Sequence, residues 1–250
     1  MNLSIIIPVL NEAEKISEDI TSLSDYLTNN NITGEIIVSD DGSTDGTSEI
    51  ANETSLTDNV CLVILKENEH YGKGHAVRKG ILESKGDIVM FIDSGKTVTL
   101  DFINNGIDMI RNNEYQIILG SRHLPESIIR KQLVWYRRLV SILFRIVTKL
   151  LFPSMWGFSD TQCGFKCFRR DAGRQIFARQ RIWRFSFDVE LLWIARKLGY
   201  RVTEVPVTWV NDPSSRVHPL RDSLRMLVDL VRVRYNDLRG VYQFGEGPSV

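Results

Sequence analysis

A hydrophobic run that ends in two acids stands early in the chain and reads Glu35-Ile36-Ile37-Val38-Ser39-Asp40-Asp41-Gly42-Ser43-Thr44-Asp45-Gly46-Thr47. Its unbroken β-branched part, Ile36 to Val38, is typical of a strand buried on both faces. Asp40 and Asp41 then lie at the carboxyl end of that strand, where open α/β sheets bind ligands, and a helix is expected near Asp45. Carboxylates there can accept hydrogen bonds from a nucleobase or a ribose. The same residue types also form turns and helix caps, and on this run alone we favour the cap.

A second strand of the same kind precedes this one. The run Leu3 to Val9 is apolar and β-branched, and it ends in Pro8-Val9-Leu10-Asn11-Glu12 before an amphipathic helix. Together the two motifs resemble the start of the family 2 glycosyltransferases, in which these loops hold the nucleotide of a sugar donor. The resemblance implies a GT-A nucleotide-diphospho-sugar transferase fold, a single α/β domain with a central, mostly parallel sheet. It also implies five nucleotide-sugar ligands in these loops: Pro8, Asn11, Glu12, Asp40 and Asp41.

Composition limits the class of protein. The chain has 250 residues, of which 43% are hydrophobic and 25% charged, as expected for one large or two small α/β domains. No run is long and apolar enough to span a bilayer, and no signal peptide is visible, so we expect a cytoplasmic protein. Three cysteines fit a reducing compartment better than a disulfide framework.

The two halves of the chain carry opposite charge. Residues 1–119 contain 8 Lys and Arg against 20 Asp and Glu, whereas residues 120–250 contain 23 against 11. The basic half is expected to meet an anionic membrane surface, a phosphate or nucleic acid, unless the charges only cancel within one fold. We predict one glycosyltransferase domain over residues 1–240, followed by a tail at 241–250. Within it, residues 1–119 form the nucleotide-sugar-binding half and residues 120–240 the acceptor and membrane-facing half.

Two further loops carry candidate donor ligands. Lys73 stands between two glycines before a helix, which suits a pyrophosphate or a plain turn equally. A fourth strand delivers Asp93-Ser94-Gly95-Lys96, where the family resemblance implies an Asp-X-Asp element whose second acid holds Mg²⁺ or Mn²⁺. Gly95 stands at that second position. Either Asp93 coordinates the metal with help from elsewhere, or Lys96 neutralises the diphosphate; Ser94 is assigned to the same nucleotide-sugar site.

A basic amphipathic helix is predicted from Lys131 to Phe152. At 100° per residue its cations fall within about 40° of one another, opposite a broad apolar arc that includes Trp135 and Tyr136. This pattern is typical of an interfacial helix on an anionic membrane, although a core-facing helix with a solvated basic face has the same pattern. The cations are Lys131, Arg138, Arg145 and Lys149.

The segment Asp160-Thr161-Gln162-Cys163-Gly164-Phe165-Lys166-Cys167-Phe168 narrows the resemblance. Within family 2 it is similar to the dolichyl-phosphate glucosyltransferases and, more loosely, to the dolichyl-phosphate mannose synthases. The resemblance implies sugar contacts from Asp160 and Gln162 and a base carboxylate in the region of Asp188. Cations are also needed to bind the phosphate groups of the two substrates. For each arginine, the alternative is a solvent-exposed side chain without a role. We assign Arg122, Arg137 and Arg138 to the acceptor phosphate, Asp188, Arg122 and Arg138 to catalysis, and Arg216 to the donor diphosphate.

The resemblance implies an inverting transfer of glucose from UDP-glucose to dolichyl or another polyprenyl phosphate. The enzyme would lie peripherally on the cytosolic face of a membrane. Three alternatives stay open: GDP-mannose as donor, a soluble hydroxyl acceptor, or an inactive protein that only binds nucleotide sugars. Nucleic-acid binding explains the basic half least well, because its cations interleave with aliphatic side chains.

Overall fold

Strands and helices alternate along the computed structural model, which describes residues 2–57, 59–100, 103–130, 135–210 and 219–243. The strands are β1 (Leu3–Val9), β2 (Gly34–Asp40), β3 (Val60–Lys66), β4 (Ile88–Ile92), β5 (Ile117–Ser121), β6 (Ile128–Ile129), β7 (Phe165–Arg169), β8 (Val202–Pro206) and β9 (Thr208–Trp209). The helices are α1 (Ile16–Asn29), α2 (Thr47–Glu53), α3 (Lys73–Glu83), α4 (Ile103–Arg111), α5 (Trp135–Leu151), α6 (Arg170–Arg179), α7 (Phe187–Lys197) and α8 (Pro219–Leu238).

The central sheet has seven strands in the order β3-β2-β1-β4-β7-β5-β8. Its neighbours pair in parallel except at β7, which runs antiparallel to both β4 and β5. The short strands β6 and β9 form a separate parallel pair. The predicted α/β domain with a mostly parallel central sheet is therefore confirmed.

Both faces of the sheet are covered, which explains the unbroken apolar runs. On one face, Ile5 of β1 packs in a buried cluster with Ile20 of α1 and Ile107 of α4. On the other face, Ile6 packs in a second buried cluster with Val77 of α3. Because alternate residues of each strand meet different helices, both sets are apolar, as in parallel sheets generally.

One edge of the sheet collects the polar loops. The strands β1, β2, β4 and β5 all end at this edge, and the antiparallel β7 begins there. The backbone N–H of Asp93, just after β4, donates to the carbonyl of Gly164, just before β7, over 3.0 Å. The topology therefore brings the acidic first half and the segment around Asp160 together.

The helices α5 and α8 pack against each other and turn apolar side chains outward. Phe144 and Thr148 of α5 are buried, whereas four large residues of this helix are at least half exposed. The outward face of α8 also carries a stripe of exposed apolar residues. The spacing of such a stripe is equally typical of a helix that faces a core. Within the part of the chain described here, no helix combines the length and the hydrophobicity needed to cross a bilayer. The exposed residues are Leu139, Leu143, Ile146 and Leu150 of α5, and Leu224, Val228, Val231, Tyr235 and Leu238 of α8.

The segment after α8 returns to the core. Tyr242, which the sequence places in the tail, is buried, and its hydroxyl donates to Glu190 of α7 over 2.5 Å. The same carboxylate accepts hydrogen bonds from the backbone N–H groups of Arg181 and Ile182. The core therefore includes residue 242.

Candidate active site

The loops after β1 and β2 are joined by hydrogen bonds. The backbone N–H of Asn11 donates to the Ser43 hydroxyl over 2.7 Å, and the Asn11 side-chain oxygen accepts the N–H of Thr44 over 2.7 Å. The backbone N–H of Glu12 donates to the Thr47 hydroxyl over 2.9 Å. Asn11 adopts a left-handed conformation with φ of 52°, which asparagine tolerates better than most residues. The two sequence motifs therefore form one structural unit, and Pro8 lies beside it, opposite Ser39.

Asp40 and Asp41 are buried, and both carboxylates accept hydrogen bonds from the protein. Asp40 accepts the N–H of Ser43 over 2.7 Å. Asp41 accepts the N–H groups of Tyr71 and Gly72 over 3.0 and 2.8 Å, and Nδ1 of His70 lies 2.6 Å from its Oδ2. Asp41 thus ties the glycine loop before α3 to the end of β2. Whether either acid also contacts a nucleotide stays a prediction.

Lys73, the first residue of α3, forms an ion pair with Asp93 at the end of β4. Its Nζ lies 2.6 Å from Oδ1 of Asp93, and the two side chains are 22% and 31% exposed. Burial acts to lower the pKa of the Lys73 ammonium, but the carboxylates of Asp93 and Asp188 outweigh it and raise that pKa. An added Cβ at Gly164 would overlap the Asp93 carboxylate, so this pair depends on glycine there. A lysine held charged at a helix N-terminus is suited to a phosphate.

The turn after β4 is stabilised by an acid from α1. Asp19 accepts hydrogen bonds from the Ser94 hydroxyl over 2.7 Å and from the backbone N–H of Gly95 over 2.8 Å. Gly95 and Lys96 have φ values of 86° and 50°, and the Lys96 ammonium lies 2.6 Å from Glu18. Burial raises the pKa of Asp19, against the opposite effect of these hydrogen bonds. Lys96 is therefore placed beside an exposed glutamate, while Lys73 is the cation at Asp93.

Asp188, the predicted base, is buried at the start of α7 and paired with a lysine. Nζ of Lys166 lies 2.5 Å from its Oδ1 and donates to the carbonyl of Cys163 over 2.9 Å. Burial raises the pKa of Asp188, while the charges of Lys166 and Lys73 counteract that rise. The pair of Lys166 with Asp188 is almost fully buried, whereas the pair of Lys73 with Asp93 is partly exposed.

Arg122, predicted to hold the acceptor phosphate, is bound to Asp160, predicted to contact the sugar. The pair is bidentate, with Nε to Oδ2 at 2.6 Å and Nη2 to Oδ1 at 2.9 Å. Burial acts to raise the pKa of Asp160, but Arg122 outweighs it and holds that pKa well below its usual range. Glu204 of β8 accepts the backbone N–H of Asp160 over 2.8 Å, and the Arg122 guanidinium lies 5.4 Å from the ring centroid of Trp209. This pair connects β5, β8 and the segment before β7.

The remaining predicted ligands are Gln162, Arg137, Arg138 and Arg216. The backbone N–H of Gln162 donates to Asp160 over 3.1 Å, while its side-chain Nε2 is buried without a hydrogen-bond partner among the described residues. Such a donor is suited to a sugar hydroxyl. Arg137 and Arg138 lie in the first turn of α5, but their side chains are outside the described part of the structure, as is the whole of Arg216.

Three polar residues of this region were missed by the sequence-based predictions. Lys166 lies among the buried residues of β7, and Glu204 is the acid of the partly buried strand β8; a charged residue inside a strand was the available signal. Asp19 gave no such signal, because an acid in the first turn of a helix is common.

Comparisons with known proteins identify the family of this chain. Residues 4–177 match the family described as Glycosyl transferase family 2. A dolichyl-phosphate beta-glucosyltransferase of Dictyostelium discoideum is 34% identical to the chain, with 96% of this chain and 76% of that protein covered. The protein of the same name from Homo sapiens is 32% identical, with 96% and 77% covered.

Solved structures share the fold. Glucosyl-3-phosphoglycerate synthase from Mycobacterium tuberculosis, in complex with Mn²⁺, UDP-glucose and phosphoglyceric acid, has a TM-score of 0.66 at 20% identity, covering 98% of this chain and 81% of that one. Mannosyl-3-phosphoglycerate synthase from Rubrobacter xylanophilus has a TM-score of 0.67 at 19% identity, covering 100% and 78%. The family match extends over most of the chain and confirms the resemblance carried by the motifs. This chain belongs to glycosyl transferase family 2.

Proposed function

We propose that this enzyme transfers glucose from UDP-glucose to dolichyl or another polyprenyl phosphate, on the cytosolic face of a membrane. The observation that carries the proposal is the 34% identity, over 96% of the chain, to a protein named dolichyl-phosphate beta-glucosyltransferase. The joined loops after β1 and β2, together with Lys73 and Asp93, support a donor site at the carboxyl edge of the sheet.

The proposed reaction is a displacement at the anomeric carbon. An oxygen of the acceptor phosphate forms a bond to C1 of glucose, and the bond between C1 and the β-phosphate oxygen breaks. The electron pair of that bond leaves with UDP, and the configuration at C1 is inverted. Since the acceptor is already anionic, catalysis depends mainly on holding two negative partners in line.

Asp188 is better suited to positioning than to proton transfer in this reaction. Its carboxylate is buried and bound to Lys166 at 2.5 Å, and an anionic acceptor needs no strong base. We therefore propose that Lys166 and Asp188 hold Lys73 in place. In the acceptor half, Arg122 lies at the end of β5. The Nε2 of Gln162, which has no hydrogen-bond partner among the described residues, supports a contact with the sugar.

The outer faces of α5 and α8 support contact with a membrane. Leu143 and Leu150 of α5 are 54% and 69% exposed, and Leu224 and Leu238 of α8 are 66% and 80% exposed. Apolar side chains on neighbouring helices in a protein with a basic second half suit the surface of an anionic bilayer. The polyprenyl tail of the acceptor would lie in that bilayer.

The experiment that tests the proposed reaction measures label from radioactive UDP-glucose, and in parallel from GDP-mannose, in organic-extractable polyprenyl phosphate. We expect label in lipid from UDP-glucose. Label only from GDP-mannose would change the donor. UDP-glucose turnover with a soluble hydroxyl acceptor and none with the lipid would overturn the proposed acceptor.

Membrane contact is tested by sedimentation with vesicles that contain phosphatidylserine. Leu143→Glu is expected to weaken binding about tenfold, because one apolar side chain no longer enters the interface. The matched control is Ile50→Glu, which changes an exposed isoleucine of α2, and it is expected to bind as the wild type does. Equal binding of both variants would contradict the proposed surface.

A further inference from the structure

Family 2 enzymes of this fold are associated with a divalent cation, and one solved neighbour was crystallised with Mn²⁺ and UDP-glucose. Among the residues that the structure describes, those at the corresponding edge do not fit such a site. Gly95 stands where the second acid of the Asp-X-Asp element is expected, and within the described ranges no three His, Cys, Asp or Glu side chains come together as metal ligands. A divalent cation prefers several oxygen ligands, with more than one carboxylate or a substrate phosphate among them.

Three described acids of this region already have partners in the protein. Asp93 is paired with Lys73, and Asp188 is paired with Lys166. Asp19 accepts the backbone N–H groups of Gly95 and Lys96 over 2.8 and 3.2 Å, so its two oxygens face the turn. The positive charge that a metal ion would provide is instead present on the Lys73 ammonium group, 2.6 Å from Asp93.

We propose that Lys73 takes the place of the divalent cation and binds the donor diphosphate directly. The inference rests on the proposed function, because it deepens the donor site of that reaction. Three features of Lys73 support it. Its ammonium is held by Asp93, it is the first residue of α3, where backbone N–H groups and the helix dipole favour an anion, and Gly72 precedes it with φ of 129°.

The surroundings of Lys73 prevent it from being an ordinary surface lysine. An added Cβ at Gly74 would lie 2.8 Å from Cβ of Phe187, so α3 begins in close contact with α7. Asp188 of α7 adds a second negative charge that favours the ammonium form of Lys73. When the donor binds, Lys73 remains paired with Asp93 on one side and donates to the β-phosphate on the other. As the bond to C1 breaks, this ammonium neutralises the charge that develops on the departing UDP.

The test compares binding of UDP and UMP by isothermal titration calorimetry in EDTA, Mg²⁺ or Mn²⁺, with free Mn²⁺ followed by electron paramagnetic resonance. For the wild type, we expect EDTA to change UDP affinity less than about twofold. The amount of Mn²⁺ bound in a mixture of UDP and protein is expected to equal the amount that UDP binds without the protein. Lys73→Gln is expected to weaken UDP binding about tenfold or more and to leave UMP binding unchanged, because UMP lacks the β-phosphate.

Lys79→Gln is the matched control. Lys79 lies on the same helix, and its Nζ lies 2.8 Å from Glu67, with side-chain exposures of 30% and 23% that resemble those of Lys73 and Asp93. It is expected to bind UDP as the wild type does. The double variant Lys73→Gln, Gly95→Asp is expected to bind UDP more tightly in Mn²⁺ than in EDTA, since aspartate tolerates the left-handed backbone of position 95 better than most residues.

Loss of wild-type UDP binding in EDTA, with uptake of Mn²⁺ together with UDP, would overturn the inference and leave the proposed transfer intact. A loss of UDP affinity in Lys96→Gln but not in Lys73→Gln would also overturn it. If UDP-glucose does not bind under any condition, the proposed function fails and the inference fails with it. The wild-type measurements need no variant to fold.

Discussion

Two ion pairs lie at the same sheet edge, one in each half of the chain. They differ in the exposure of their side chains and in the number of hydrogen bonds that each carboxylate accepts. In the pair of Arg122 with Asp160, the carboxylate is 3% exposed, makes two contacts with the guanidinium and also accepts backbone N–H groups. In the pair of Lys73 with Asp93, both side chains are more than one-fifth exposed and meet through one nitrogen. The first pair is suited to holding strands together, and the second is suited to exchanging a partner for a ligand.

The largest expected effect is on stability, in the acceptor half. Asp160→Asn should lower the free energy of unfolding by about 3 kcal/mol, because it leaves the largely buried Arg122 charge without its partner. The measurement is urea unfolding at neutral pH. The control is Asp171→Asn, which breaks a bidentate pair with Arg169 whose side chains are 55% and 35% exposed and should cost less than about 1 kcal/mol. Similar losses in the two variants would remove the structural role assigned to Asp160.

At the pair of Lys73 with Asp93, the expected effect is on activity. Gly164→Ala should lower kcat/KM about 100-fold, because the added Cβ displaces the Asp93 carboxylate from Lys73. Gly157→Ala is the control, since an added Cβ at position 157 meets no atom within 4 Å. The measurement is sugar transfer in parallel with the melting temperature of each variant. If Gly164→Ala is as active as Gly157→Ala, the position of Asp93 does not matter for transfer.

The smallest expected effect is a loss of stability at acidic pH. The pKa of Asp160 is lowered in the folded protein, so its contribution to stability is complete above its unfolded value near 4 and is lost as the pH falls below that value toward the folded one. The gap in stability between wild type and Asp160→Asn should therefore narrow from pH 5 to pH 3, as measured by urea unfolding at each pH. A gap that stays constant over this range would mean that Arg122 does not hold Asp160 ionised.

The two pairs also mark the limits of what the sequence predicts. Strands that end in polar loops were visible as β-branched runs followed by Asp, Gly and Ser, and the common edge follows from their parallel order. Arg122 and Asp160 were both assigned to the site, yet their mutual contact was not predicted, because they are far apart in sequence and no periodicity connects them. Lys73 and Lys96 looked equivalent as donor-site cations, and the turn held by Asp19 separates them in space.

Hydrophobic periodicity had a related limit. Leu224 and Val231 of α8 are seven residues apart, as in an apolar helical stripe, but such a stripe has the same spacing whether it meets a core or a lipid. For α5, Phe144 and Leu143 are neighbours of similar character, and only the tertiary packing decides that Phe144 is buried and Leu143 exposed. The inserted antiparallel strand β7 was likewise beyond prediction, because its run of Phe, Lys and Cys specifies no neighbour.

The position of β7 also sets an order of assembly during synthesis. Strands β1 to β4 are neighbours of one another and can pair as soon as they have emerged from the ribosome. Strand β5 is flanked only by β7 and β8, which are made later, so it has no partner in the sheet until residues 165–169 follow. Until then the backbone N–H and C=O groups of its apolar residues, including Ile117 and Ile118, have no neighbouring strand to hydrogen-bond with. Strand β5 is therefore the part of the central sheet that is most exposed to mispairing before its neighbours are made.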